Sequence, residues 1–193
     1  MEGLIEELNT YCNLSEAEET LLRQTSRVLH FPKGSTVIGT GKIDDSLYVL
    51  RKGVWRAYCE RDGEEQTLWF AIAGEIVFSS WGFSKGLPSR LTISSSSDSM
   101  AIELKKTTID RLVKTSPGIL QWILELYNNL LMGTDDLLVN ISSPKAEERY
   151  LVFMKKMPEM FQNVPLKEIA GFIGVTPQSL SRIRAGLNKD KNK

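Results

Sequence analysis

Histidine and cysteine are nearly absent from this chain, and their scarcity removes whole classes of chemistry. His30 is the only histidine in 193 residues, and Cys12 and Cys59 are the only cysteines. A metal-dependent enzyme on a small β-barrel, as in the cupins, needs clustered histidine and carboxylate ligands. One histidine does not supply them, so a non-enzymatic role is expected. An iron–sulfur cluster takes about four cysteine ligands, more than the chain holds. His30 precedes a Pro-Lys-Gly turn and reads as a surface residue rather than a haem ligand. The two cysteines lie far apart with no C-x-x-C spacing, which fits free thiols in a reducing compartment. No apolar run nears the ~20 residues of a membrane span. The acidic start MEGLIEEL lacks the basic region of a secretory signal. A cytoplasmic protein that needs no metal or other cofactor and meets no membrane is expected.

What is present is unevenly spread. The formal net charge is zero, yet residues 1–141 carry 14 Lys/Arg against 19 Asp/Glu, and residues 142–193 carry 10 against 5. A basic C-terminal quarter on an acidic body suits a small nucleic-acid-binding module. It also suits a solvated lysine tail, since Lys189, Lys191 and Lys193 supply part of the excess.

Three rhythms follow one another along the chain. Ser15 and Glu18 are spaced as a capping box, and Leu21, Leu22, Thr25 and Val28 recur at helical spacing, so a helix is expected until the turn at 30–34. Between residues 35 and 104 come short β-rich runs, at 35–38, 46–50, 54–59, 66–71, 91–95 and 99–104. Turn signals separate them, of which Asp62-Gly63 marks a hairpin most strongly. Short strands at this spacing predict an antiparallel roll or barrel. A short amphipathic segment at 107–114 follows. Ser116-Pro117 then opens a helix whose apolar stripe runs about 25 residues, long for a globular protein. A small roll would struggle to cover both sides of that stripe. It is therefore expected to pair with a second copy of the chain through Ile123, Leu126, Tyr127, Leu130 and Leu137. Ile141-Ser142-Ser143-Pro144 breaks the helix where the charge balance changes sign, and 145–156 is helical again.

Residues 164–187 carry the most information. A helix at 166–173 has Leu166, Ile169, Ala170 and Ile173 on one face, and Gly174 occupies the position after its end. Thr176 is a good N-cap, with Pro177 at the first helical position. The second helix turns Leu180, Ile183 and Leu187 inward, while Gln178, Ser181, Arg182 and Ala185 share the opposite face. A helix-turn-helix needs this arrangement: a small residue for close approach, a short glycine turn, and polar side chains offered to the major groove. Arg182 suits guanine O6/N7 and Gln178 suits adenine N6/N7. Lys167, Ser179, Arg184 and the terminal lysines suit phosphates, and Thr176 at the head of the helix joins the DNA-binding set. A helical hairpin that docks a protein partner is the competing reading, in a ligand-binding or scaffold protein; it predicts little salt dependence of any DNA association.

Over nearly its whole length the sequence resembles the Crp/Fnr family of transcription regulators. The resemblance rests on Pro32-Lys33-Gly34, the run Ser46-Leu47-Tyr48-Val49-Leu50-Arg51-Lys52-Gly53, Asp62-Gly63-Glu64-Glu65 and Ala73-Gly74-Glu75. It rests also on a long helix at 116–141 and a recognition helix at 176–184, where Arg182 falls on the family's characteristic arginine. It implies an α+β chain: a cyclic-nucleotide-binding-like β-roll sensor (double-stranded β-helix, jelly-roll-like) at 1–115, a dimerisation helix at 116–141, and a helix-turn-helix DNA-binding domain at 142–193. It further implies a homodimer on a two-fold symmetric operator in double-stranded DNA, with RNA polymerase as a partner. The effector-binding positions it points to are Gly74, Glu75, Ser89 and Arg90. The sequence departs from the family here. The phosphate-neutralising arginine is replaced by Ser89, and Arg90 stands one place later, where an extended chain reverses the side chain. Phe78, Trp81 and Phe83 crowd a segment that is usually a compact turn. An effector other than cyclic AMP is expected. The residues after the recognition helix are too few for the two-stranded wing of many relatives.

Overall fold

The computed structural model describes residues 14–190, with side chains through Leu187. Cys12, Lys191, Lys193 and the side chain of Lys189 lie outside the described residues. Helix α1 (Glu16–Thr25) opens with the anticipated capping box: the Ser15 hydroxyl accepts from the Glu18 amide and the Glu18 carboxylate accepts from the Ser15 amide. It ends sooner than its spacing suggests. Ser26 is already extended, and Val28 belongs to strand β1 (Arg27–Phe31). That strand pairs along its whole length with β8 (Ser99–Lys105). Cross-strand bonding to a segment some seventy residues away thus overrides a local helical pattern.

The remaining strands are β2 (Thr36–Ile38), β3 (Ser46–Lys52), β4 (Trp55–Arg61), β5 (Glu64–Ala71), β6 (Ile76–Phe78) and β7 (Thr92–Ser95). They form two antiparallel sheets of order β1-β8-β3-β6 and β2-β7-β4-β5, the jelly-roll-like roll anticipated. Asp62 and Gly63, both at positive φ (55° and 78°), close the β4–β5 hairpin between Arg61 and Glu64. This is the left-handed pair that a two-residue hairpin requires.

Strand alternation divides the apolar residues between two cores. Tyr48 and Leu50 of β3 join Ile38, Trp55, Ala71 and Ile93 between the sheets. There Trp55 meets Phe31 and Tyr48 edge-on, with ring centroids 5.3 and 5.6 Å apart. Leu47 and Val49 of the same strand face outward against helices α1, α3 (Lys106–Leu112) and α4 (Pro117–Ile141), where Leu22, Leu112, Ile119 and Trp122 are buried. Besides β1, two elements inside the roll are additions to the sequence reading, β6 and helix α2 (Ser80–Lys85). The Ser79 hydroxyl caps α2 and Gly86 ends it in the left-handed region. The bulky run around Phe78, Trp81 and Phe83 thereby becomes a packed helix rather than a turn, with the Phe78 and Phe83 ring centroids 5.1 Å apart.

α1 is also tied to the start of α4. Glu18 accepts from the Ser116 hydroxyl and from the Gly118 amide at 3.1 Å. A Cβ on residue 118 would lie 2.5 Å from that carboxylate, so glycine leaves the room the contact needs. The bond from Ser116, with those from Ser15 and Gly118, pulls the Glu18 carboxyl from its usual 4.5 down to about 2. A depressed folded-state pKa adds stability that is present above the unfolded value and is lost as pH falls toward the folded one. Glu18→Gln is therefore expected to lower the melting temperature at pH 7, and the gap from the parent should close as pH falls from about 4.5 toward 2. Thermal melts across that range check it; a gap independent of pH would deny the role.

After α4 the chain forms α5 (Ala146–Lys156), the unanticipated α6 (Pro158–Asn163), α7 (Leu166–Ile173) and α8 (Pro177–Asp190). Their core contains Tyr150, Phe153, Ile169, Phe172, Ile173 and Leu180, and it is continuous with Val54 and Phe70 of the roll.

Candidate functional site

α7 and α8 meet through a turn built as their residues require. Gly174 is left-handed (φ 75°, ψ 40°). Its amide donates to the Gly171 carbonyl, and the Val175 amide donates to that of Ala170, at 3.2 and 2.9 Å. This is the Schellman pair that satisfies the end of a helix. The Thr176 hydroxyl accepts from the Ser179 amide at 3.2 Å, capping α8. Leu180 is buried, and Ile183 and Leu187 pack on the same core. Gln178, Ser181, Arg182, Arg184 and Ala185 are all exposed, and so is Lys167 on α7. Three of the hydroxyls are engaged locally: Thr176 bonds Ser179 at 3.0 Å, and Ser181 donates to the Pro177 carbonyl at 3.0 Å.

Two arginines that the sequence reading passed over hold this unit in place. Arg149 of α5 donates through Nε to the Ile173 carbonyl at 2.8 Å and through Nη1 to the Ser143 carbonyl. It thereby joins the end of α7 to the segment after α4. Arg56 of β4 is 6% exposed. It bonds Glu65 at 2.7 Å and Thr67 at 2.8 Å, lies over the Tyr58 ring, and pairs with Glu168 of α7 at 3.6 Å. Burial pushes the Glu168 carboxyl up, and Arg56 opposes that. Beside this pair the Phe172 ring meets Phe70 of β5 and Phe153 of α5, with centroids 5.3 and 4.6 Å apart. No spacing rule reveals either arginine, because their partners are brought together only by the fold.

A cavity of about 680 Å³ opens between β5–β6, α2, the segment before β7, the C-terminal half of α4, and α5 with α7. It divides the four expected effector residues. Glu75 and Ser89 line it; Gly74 and Arg90 do not. The Ser89 hydroxyl is turned onto its own loop, donating to the Leu91 carbonyl and accepting from the Leu91 amide at 2.8 and 3.2 Å. The Arg90 guanidinium lies over the Trp81 ring, 5.9 Å from its centroid. Glu75 accepts from the Ile72 amide at 3.0 Å. The only lining cation among the described residues is Lys156, which is bonded to Asp136 at 2.8 Å. A cyclic nucleotide needs a positive group at its phosphate, and these residues do not fit that need.

The residues read from the sequence as dimer contacts differ in how far the single chain covers them. Leu126 is 3% exposed, in the core between α4 and the first sheet, and Ile123 packs against the same core. Leu137 packs on the α5–α8 core. All three are used within the chain. Tyr127 and Leu130 remain partly exposed, along with Leu120, Leu124, Leu131 and Leu138. Positions 120, 124, 127, 131, 134 and 138 alternate steps of four and three, which is the seam of a two-helix coiled coil.

Among the described residues, no group of three or more His, Cys, Asp or Glu is placed to hold a metal, Cys59 is a free thiol, and no helix is long and apolar enough to cross a membrane.

Residues 28–116 match the family model of the cyclic nucleotide-binding domain. The electron transport regulator A of Shewanella oneidensis is 26% identical over 176 residues, spanning 81% of this chain and 67% of that protein. The fumarate and nitrate reduction regulatory protein of Escherichia coli is 27% identical over the same shares. Among solved structures, FixK2 from Bradyrhizobium japonicum superposes with a TM-score of 0.74 at 17% identity, covering 86% of each chain. The c-di-GMP-responsive regulator CLP of Xanthomonas campestris does so at 0.70 and 19% identity, covering 92% of this chain and 93% of that one.

Proposed function

We propose that this chain is a transcription regulator of the Crp/Fnr family and works as a cytoplasmic homodimer reading a two-fold symmetric operator through α8. Residues 1–115 serve as the sensor, 116–141 as the dimer helix and 142–193 as the DNA-binding unit. RNA polymerase is the partner such a regulator acts on. The chain is a regulator and not an enzyme. The observation that carries the reading is the exposed polar face of α8, held away from the core by buried Leu180.

Arg182 is assigned to guanine, Gln178 to adenine and Ser181 to a neighbouring base edge. Lys167, Thr176, Ser179 and Arg184 are assigned to phosphates, which fix the register of the protein on the duplex. The two chains meet along Leu120, Leu124, Leu131 and Leu138, the apolar stripe that the monomer leaves uncovered, with Tyr127, whose ring also packs on Phe78, at its edge.

Arg182→Ala is expected to relax preference at one base position in each half-site and to cost about 1–3 kcal/mol there. Selection of bound genomic fragments by the parent and the variant measures both. Unchanged base preference would remove α8 from the recognition role. Binding that falls steeply with salt supports a DNA interface; a flat salt dependence would favour helices that dock a protein.

A further inference from the structure

We propose that the cavity between the roll, α4 and the DNA-binding helices takes a neutral, flat, largely apolar small molecule in place of a phosphate-bearing nucleotide. This inference deepens the reading of the chain as an effector-responsive regulator and rests on it. The walls carry the first argument. Trp69 and Trp81, both partly exposed, approach from the roll with the edge of Phe78, Leu130 stands on α4, and the mostly buried Phe153 and Phe172 close the far side. Aromatic faces of this kind stack on flat ligands and offer little to an anion.

Charge carries the second argument. Arg90 lies outside the cavity over Trp81, Ser89 is bonded back to Leu91, and Lys156 is already paired with Asp136. Glu75 on the wall adds no positive charge and already accepts from the Ile72 amide. The other polar groups facing the space include the amides of Asn129 and Asn140 and the hydroxyl of Thr134, all uncharged.

Gly133 carries the third. It stands inside the 25-residue α4, where glycine is unfavourable, and it lines the cavity. A Cβ there would meet no atom within 4 Å. Nothing in the chain's own packing calls for glycine at that position; its effect is to leave room beside the aromatic wall. Phe153, Lys156 and Phe172 belong to the DNA-binding unit and line the same space, so an occupant touches the sensor, the dimer helix and the reading head together.

The full chain titrated with N-phenyl-1-naphthylamine, a neutral aromatic dye, tests the proposal. Saturable binding at one dye per chain is expected, with energy transfer from tryptophan and no displacement by millimolar cyclic AMP. Gly133→Leu, which extends a side chain into the space and improves helix propensity, should weaken the dye at least tenfold while the protein melts no earlier than the parent. Ser80→Phe, on an exposed position of the opposite wall, should weaken it as well. Saturating dye should shift operator affinity in the parent and leave it unchanged in Gly133→Leu. Dye affinity untouched by both variants, or displacement by cyclic AMP that requires Arg90, overturns the ligand class. An operator affinity indifferent to bound dye overturns the contact with the reading head. The dye titration needs no DNA, so a failure of the α8 assignment leaves its result readable.

Discussion

Leu131→Asp is expected to convert the proposed dimer into folded monomers and to weaken operator binding by about 10²–10⁴-fold, the advantage lost when two half-sites are no longer held by one particle. Leu131 is 64% exposed in the single chain, so the carboxylate disturbs no packing within it. In a paired α4 the same position lies on the seam, where an unpaired charge would be taken out of water on both chains. Leu126→Asp makes the contrast. That residue is 3% exposed against the first sheet, and a charge there should unfold the chain instead of separating two copies. Sedimentation equilibrium, thermal melts and operator titration of the two variants tell the outcomes apart. A Leu131→Asp protein that remains a dimer would remove the exposed stripe of α4 from the interface.

Phe172→Ala should produce a large loss of stability without placing any charge in the core. Truncating a buried phenylalanine typically costs about 3–5 kcal/mol, a large share of the ~5–15 kcal/mol that holds a domain together. Phe172 is among the largest fully buried side chains, with Phe153 on one side and Phe70 of the roll on the other. Its removal therefore weakens the α5–α8 core and the attachment of that core to β5 in one step. Hydrogen exchange should show protection lost first in α5–α8 and retained in the strands between the sheets, whose core around Trp55 does not include Phe172. Operator binding should fail at temperatures where the roll is still folded. Uniform loss of protection across both units would mean that they unfold as one.

Some of this was legible in residue order because the physics concerned is local. Alternation along residues 46–50 and 99–104, the left-handed demand of Asp62-Gly63, the Ser116-Pro117 start of α4 and the Thr176-Pro177 start of α8 each depend on neighbours a few positions away. Leu180, Ile183 and Leu187 point inward, and Gln178, Ser181 and Arg182 outward, because the helical period of 3.6 leaves no other choice. The Schellman turn at Gly174 follows from the same short-range chemistry.

What required the folded chain is what depends on distant partners. Val28 keeps helical spacing, yet β8 claims it as strand. The stripe of α4 is apolar nearly all round, so periodicity alone cannot say which side meets the roll and which a second copy. The first sheet takes Ile123 and Leu126, and the α5–α8 core takes Leu137. Ser89 and Arg90 stand next to each other in the chain, but only Ser89 lines the cavity, while the Arg90 guanidinium lies over Trp81. Arg56 and Glu168 show the rule most plainly: each is an ordinary charged residue in its own neighbourhood, and only the docking of α7 on β4 and β5 makes them a pair. Residue order thus determined the elements and the outward face of α8, which are set by contacts along the chain. Which apolar face is spent inside, where the cavity opens and what charge it lacks were decided by contacts across it.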